Sequence, residues 1–136
     1  MQLQAIIIED EANSREILRN YLAKYCDEVN LLGEASNIKE GLELIRKSNP
    51  DLVFLDIELP DMDGKSILDN IQINYPELPV VMCSSHNTVE NVKLTWDMGA
   101  KGFLAKPISP HKLKNLLNRL GILESGNKPL VTNGKL

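Results

Sequence analysis

The sequence lacks most of the features that would take it out of the aqueous globular proteins. No run approaches the roughly 18 uninterrupted apolar residues that a membrane helix needs, so no membrane span is expected. The start, MQLQAIIIEDE, has no basic n-region and turns acidic after its isoleucines, so no signal peptide is expected. There is no basic block. Fifteen Lys and Arg face nineteen Asp and Glu, the net charge is −4, and the pI is about 5.2. Contact with nucleic-acid phosphates needs clustered cations, so direct nucleic-acid binding is not expected. Cysteine is scarce: Cys26 and Cys83 have no His or Cys companion at metal-ligand spacing. They read as reduced thiols, which points to the cytoplasm. There is no internal repeat and no low-complexity tract.

What remains is an ordinary soluble composition, with 43% hydrophobic and 25% charged residues in 136. That length suits one domain with its own core. Short apolar runs alternate with helical periodicity. Leu3–Ile8, Val29–Gly33, Leu52–Ile57, Pro79–Cys83 and Gly102–Ala105 read as strands. Asn13–Lys24, Ile38–Lys47, Lys65–Asn74, Thr88–Met98 and a segment opened by Ser109-Pro110 read as helices. Asn13 or Ser14 is the expected cap of the first helix, with Glu16 supporting its first turn, and Ser36 or Asn37 the expected cap of the second. Gly99 takes the place of a C-terminal glycine. Leu59–Gly64 reads as a turn. Five βα units with apolar, non-alternating strands predict an α/β fold: a doubly wound, five-stranded parallel sheet with helices on both faces. Residues 1–120 form this domain. Residues 121–136, GILESGNKPLVTNGKL, carry three glycines, one proline and no period, and read as a flexible tail or a truncated linker.

In open α/β sheets, function collects beyond the carboxyl ends of the strands. Here those ends carry Glu9-Asp10-Glu11, Asp56, Ser84-Ser85 and Lys106-Pro107; the second ends in the less distinctive Glu34-Ala35-Ser36. Strand order 2-1-3-4-5 would gather the four polar ends into one pocket. Three carboxylates, Glu9, Asp10 and Asp56, cannot share a site comfortably without counter-charge. Lys106 supplies one positive charge, and a hard divalent cation such as Mg²⁺ supplies the other two. A phosphoryl group would then meet the cation, the Lys106 ammonium and the Ser84 hydroxyl together.

With these motifs the chain resembles the receiver domain of two-component response regulators, over about residues 3–120. The resemblance rests on Glu9-Asp10 closing an apolar strand and on Leu55-Asp56-Ile57-Glu58-Leu59-Pro60-Asp61-Met62-Asp63-Gly64. It rests also on Ser84 after the fourth strand and on Gly99-Ala100-Lys101-Gly102-Phe103-Leu104-Ala105-Lys106-Pro107. It implies a flavodoxin-like fold and a phosphorylation-activated switch rather than an enzyme with turnover. Asp56 would be the phosphoacceptor, charged by a histidine kinase or phosphotransfer protein. Glu9, Asp10, Asp56 and the carbonyl of Glu58 would hold Mg²⁺. Lys106 would contact the phosphoryl oxygens, Ser84 would close on them, and Phe103 would be the aromatic that rotates. The fourth helix, fifth strand and fifth helix would form the output face, open to a partner or to a second copy in a homodimer. A longer regulator, with a DNA-binding or enzymatic effector domain after this receiver, is the alternative setting. The Lys106-Pro107 bond is a cis candidate.

Glu9, Ser84, Ser85 and Phe103 depart from the commoner Asp, Thr, Ala and Tyr of the family. Glu58 and His86, two residues past Asp56 and Ser84, fall on its variable rim and are expected to tune aspartyl-phosphate lifetime. Taken singly, each of these residues also has a plain structural reading: acids at a helix start, a turn serine, a surface lysine. Trp96 is expected to pack against its neighbours. An aspartate-based phosphatase of the haloacid dehalogenase type would place its nucleophile after the first strand and a second aspartate two residues on, which this sequence does not do. A flavodoxin-like cofactor binder would not set Glu9-Asp10-Glu11 against a phosphate. A pseudo-receiver would not keep the full acid, hydroxyl and lysine set.

Overall fold

The protein is described from a computed structural model, which covers residues 2–56, 58–59, 62–86 and 88–121. The five expected strands are β1 (Leu3–Ile8), β2 (Val29–Ala35), β3 (Leu52–Asp56), β4 (Val80–Ser84) and β5 (Gly102–Ala105). They pair in parallel in the order β2-β1-β3-β4-β5. Five helices connect them or follow them: α1 (Ala12–Tyr25), α2 (Ile38–Ser48), α3 (Gly64–Asn74), α4 (Val89–Asp97) and α5 (Pro110–Arg119). Where a turn was expected before α3, Glu58–Leu59 and Met62–Asp63 pair as a short antiparallel ribbon. The tail expected at 121–136 lies outside the described residues from 122 onward.

Adjacent strand residues point to opposite faces, and both faces here are apolar. Ile6, Ile8, Val53, Leu55, Val80 and Met82 pack with Ile38 and Ile45 of α2 and with Ile67, Leu68 and Ile71 of α3. Ala5, Ile7, Leu52, Phe54, Val81 and Cys83 pack with Leu18 and Leu22 of α1 and with Leu113, Leu116 and Leu117 of α5. That two-sided burial explains why these strands read as continuous apolar runs.

The caps fix where the helices begin. Asn37 Oδ1 accepts the Glu40 amide at 2.9 Å, and the Glu40 carboxylate in turn accepts from Ser36, so α2 starts with reciprocal capping. Thr88 accepts the Asn91 amide and caps α4, and Ser109 accepts the Lys112 amide and caps α5. The expectation for α1 was wrong. Its cap is Glu11, without a side-chain cap bond, while the Ser14 hydroxyl donates to the Glu11 carboxylate; no acid stands in the first turn. The helix therefore begins directly behind the acidic pair. Gly99 ends α4 at φ +103°, a conformation that L side chains resist. Trp96, expected to pack against its neighbours, is 48% exposed, and Thr95 is the α4 residue that turns to the core. Both cysteines are free and buried, as the sequence reading required. No described helix is long and apolar enough to cross a membrane.

Candidate functional site

Strand order alone brings the polar strand ends together. β1 runs directly into Glu9 and Asp10, β3 and β4 finish on Asp56 and Ser84, and Lys106 follows β5. The register sets Asp56 beside Cys83 and Ser84 beside Ala105. Carboxylate oxygens of Glu9, Asp10 and Asp56 lie within 4.8 Å of one another. Glu9, Asp56 and Ser84 are buried and Asp10 is exposed, so the cluster sits at the floor of the pocket with one acid at its mouth.

Lys106 is the counter-charge, but its closer partner is Glu9. Its Nζ lies 2.6 Å from Glu9 Oε1 and 3.9 Å from Asp56 Oδ1. The extra methylene of Glu9 relative to aspartate extends that carboxylate toward the lysine. Burial alone would pull the Lys106 ammonium down. The hydrogen bond that it donates to Glu9 and the charges of Asp56 and Glu9 outweigh it, so the pKa is raised and the lysine stays charged. The Lys106 amide donates to the Ser84 carbonyl at 2.9 Å, and the following Lys106-Pro107 bond is cis, as expected. Ser84 Oγ accepts the His86 amide at 2.8 Å, which ties the hydroxyl to the loop before α4. The Asn91 side chain donates from Nδ2 to the His86 carbonyl at 3.2 Å. Cys83 turns to the α1/α5 side, where it lines a small void with Ser14, Phe54, Asp56 and Lys106. Burial pushes its thiol up, so it stays protonated and inert beside the site.

The structure thus brings Glu9, Asp10, Asp56 and Lys106 into one cluster and sets Ser84 at the end of the adjacent strand. Of Glu58 only the backbone pairing with Asp63 is described; its side chain, like the neighbours Ile57, Pro60 and Asp61, lies outside the described residues. Phe103 is half-buried on β5, against the α2/α3 core on one side and lining a groove with Lys112, Asn115 and Arg119 of α5 on the other. His86 is exposed.

Sequence reading missed Arg15 and undervalued Glu34. Arg15 Nη1 donates to the Glu9 carbonyl at 2.8 Å, and Arg15 Nε sits 3.3 Å from Glu34 Oε1. Glu34 is also held by Arg19 at 2.6 Å. The signal available was helical spacing, which sets Arg15 and Arg19 on one face of α1. Their acid partner is on β2, 15 or more residues away, so no local pattern exposes it.

Three clustered carboxylate oxygens, one of them solvent-facing, are the hard-donor set that suits a divalent cation with retained waters. An aspartate at the end of the central strand, a cation-suited acid cluster and a lysine on a doubly wound sheet define a class: the aspartate-centred signalling domains of the flavodoxin-like fold. The family model of the response regulator receiver domain matches residues 5–118, and the chain belongs to that family. Chemotaxis protein CheY of Thermotoga maritima is 31% identical over 120 residues, covering 88% of this chain and 98% of that protein. The regulatory protein LuxO of Vibrio cholerae is 30% identical over 112 residues, covering 82% of this chain but 24% of LuxO. The chain therefore spans about a quarter of the length of the LuxO regulators it matches and nearly all of CheY. Among solved structures, the CheX-CheY-BeF3-Mg+2 complex from Borrelia burgdorferi superposes with a TM-score of 0.81. It is 25% identical, covering 88% of this chain and 90% of that one.

Proposed function

We propose that the chain is a phosphorylation-activated switch of a two-component phosphorelay, taking a phosphoryl group onto Asp56 from a histidine kinase or phosphotransfer protein. The observation that carries this reading is the convergence of Asp56 with Glu9, Asp10 and Lys106 at the carboxyl edge of the sheet. Glu9, Asp10 and Asp56, with the Glu58 carbonyl, would hold Mg²⁺. Such an ion, when bound, neutralises charge on the acceptor and on the incoming phosphoryl oxygens. The residues of the chain do the rest. Asp56 Oδ attacks phosphorus and the donor's imidazole nitrogen leaves. Lys106, kept charged by its carboxylate neighbours, meets the developing negative charge. Ser84 can donate its hydroxyl proton to a phosphoryl oxygen while its lone pair keeps the His86 amide, so closure on the phosphoryl group pulls the loop before α4 with it.

The output would be the face of α4, β5 and α5, where Phe103 rotates. Val89 and Trp96, seven residues apart on one side of α4, are exposed and would give the helix an apolar component for a partner or for a second copy of the chain. This is a switch, not an enzyme with turnover. The match to CheY supports a stand-alone setting, and the match to a quarter of LuxO supports a receiver followed by an effector domain. Incubation with acetyl phosphate and Mg²⁺ tests the central claim. Intact mass should rise by one phosphoryl group in wild type and not in Asp56→Asn. An adduct that survives this substitution would refute it.

A further inference from the structure

The two acids proposed to hold the cation are joined by one peptide bond, and Arg15 grips that bond. The Glu9 carbonyl, which belongs to the Glu9–Asp10 peptide, accepts from Arg15 Nη1 at 2.8 Å. Every other polar point of Glu9 is fixed as well. Its amide donates to Ala35, Oε1 takes Lys106 at 2.6 Å, and Oε2 takes the Glu11 amide at 3.1 Å. Asp10 has no such frame among the hydrogen bonds described, and it is exposed. Its direction is therefore set by the peptide plane before it and by the start of α1 after it.

Arg15 is well placed to hold that plane. It lies in the first turn of α1, where its own amide donates to Glu11. Its guanidinium is anchored from the far side by Glu34 at 3.3 Å, and Glu34 is fixed by Arg19 at 2.6 Å. Glu34 stands on β2 opposite Ile7 of β1, so the anchor belongs to the rigid sheet. Glu34 also answers the charge of Arg15, which would otherwise repel a cation bound nearby. A planar fork can hold a carbonyl and a carboxylate at once, whereas an ammonium cannot reproduce that geometry.

We infer that Arg15 is a positioning residue for the cation site, acting through the Glu9–Asp10 peptide and braced by Glu34. The inference rests on reading Glu9, Asp10 and Asp56 as a Mg²⁺ site. Outer partners that orient ligands commonly change metal affinity by 10–100-fold when removed.

Titration calorimetry with Mg²⁺, and electron paramagnetic resonance with Mn²⁺, read the affinity directly. Arg15→Met and Arg15→Lys should both bind about tenfold more weakly than wild type, with metal-free far-ultraviolet spectra unchanged. If Arg15 mattered only as a charge, Arg15→Met would bind more tightly and Arg15→Lys would match wild type; either result overturns the inference. Glu34→Gln should weaken binding in the wild-type background and add nothing to Arg15→Met, because the brace acts only through the arginine. Independent, additive losses would overturn it too. Should Arg15→Met fail to fold, Arg15→Lys, which keeps the stem and the charge, decides alone. A wild-type chain that binds neither ion would instead sink the proposed function, which separates the two failures.

Discussion

Replacing Asp56 by Asn should make the metal-free protein more stable, although it deletes the proposed acceptor. At an effective dielectric of about 20, charges 3.9 Å apart attract by about 4 kcal/mol, so Lys106 favours the Asp56 carboxylate by that amount. Glu9, within 4.8 Å on the same scale, opposes it by about 3.5 kcal/mol. These two nearly cancel. Repulsion from Asp10 adds about 1 kcal/mol against the charge if solvent screens it fully and more if it does not. The cost of keeping Asp56 charged at 6% exposure adds to this. Asparagine keeps the shape and loses the charge, so the expected gain is about 1–2 kcal/mol, or roughly 3–6 °C in melting temperature. Thermal melts in chelator at neutral pH measure it. Saturating Mg²⁺ should narrow the gap, because the cation stabilises the wild-type cluster more than the substituted one. A metal-free Asp56→Asn protein that melts below wild type would refute the charge reasoning.

Other outcomes follow from the same geometry. The pKa of Lys106 is raised in the folded chain, so its pairing with Glu9 and Asp56 contributes fully below the unfolded lysine value and fades as pH climbs through the folded one. Denaturant melts should show a loss of stability above about pH 10.5 that Lys106→Met lacks. Gly99→Ala forces a side chain into φ +103° and against Gln72 at 3.1 Å, and should cost about 1–3 kcal/mol in a urea melt. Asn37→Ala removes the acceptor for the Glu40 amide and should cost about 1 kcal/mol in the same assay. Glu58→Ala and His86→Ala should each change the rate at which phosphorylated protein loses its phosphoryl group, followed by mass; rates equal to wild type would remove both from the rim that governs the approach of water.

The correspondence between sequence and structure is uneven for physical reasons. Strands buried on both faces need apolar residues at every position, so β1, β3 and β4 are visible as runs. Asn37, Thr88 and Ser109 announce helix starts because a short polar side chain satisfies a free amide there. The α1 start was misread since Asn13 and Ser14 are eligible caps, yet the chain leaves β1 through Glu11 and turns helical at once. How far Trp96 is exposed was not legible, because the sequence does not record that α4 turns only Thr95 fully inward.

The five βα units, the caps of α2 and α5 and the identity of the polar residues at the strand ends were legible from sequence, because each depends on local periodicity or on neighbours a few positions apart. Folding in three dimensions was needed to show that Lys106 takes Glu9 at 2.6 Å before Asp56 at 3.9 Å, and that Arg15 joins the Glu9 carbonyl to Glu34. Those contacts join residues on different strands and helices, and their distances are set by sheet register and helix packing, which no local pattern records.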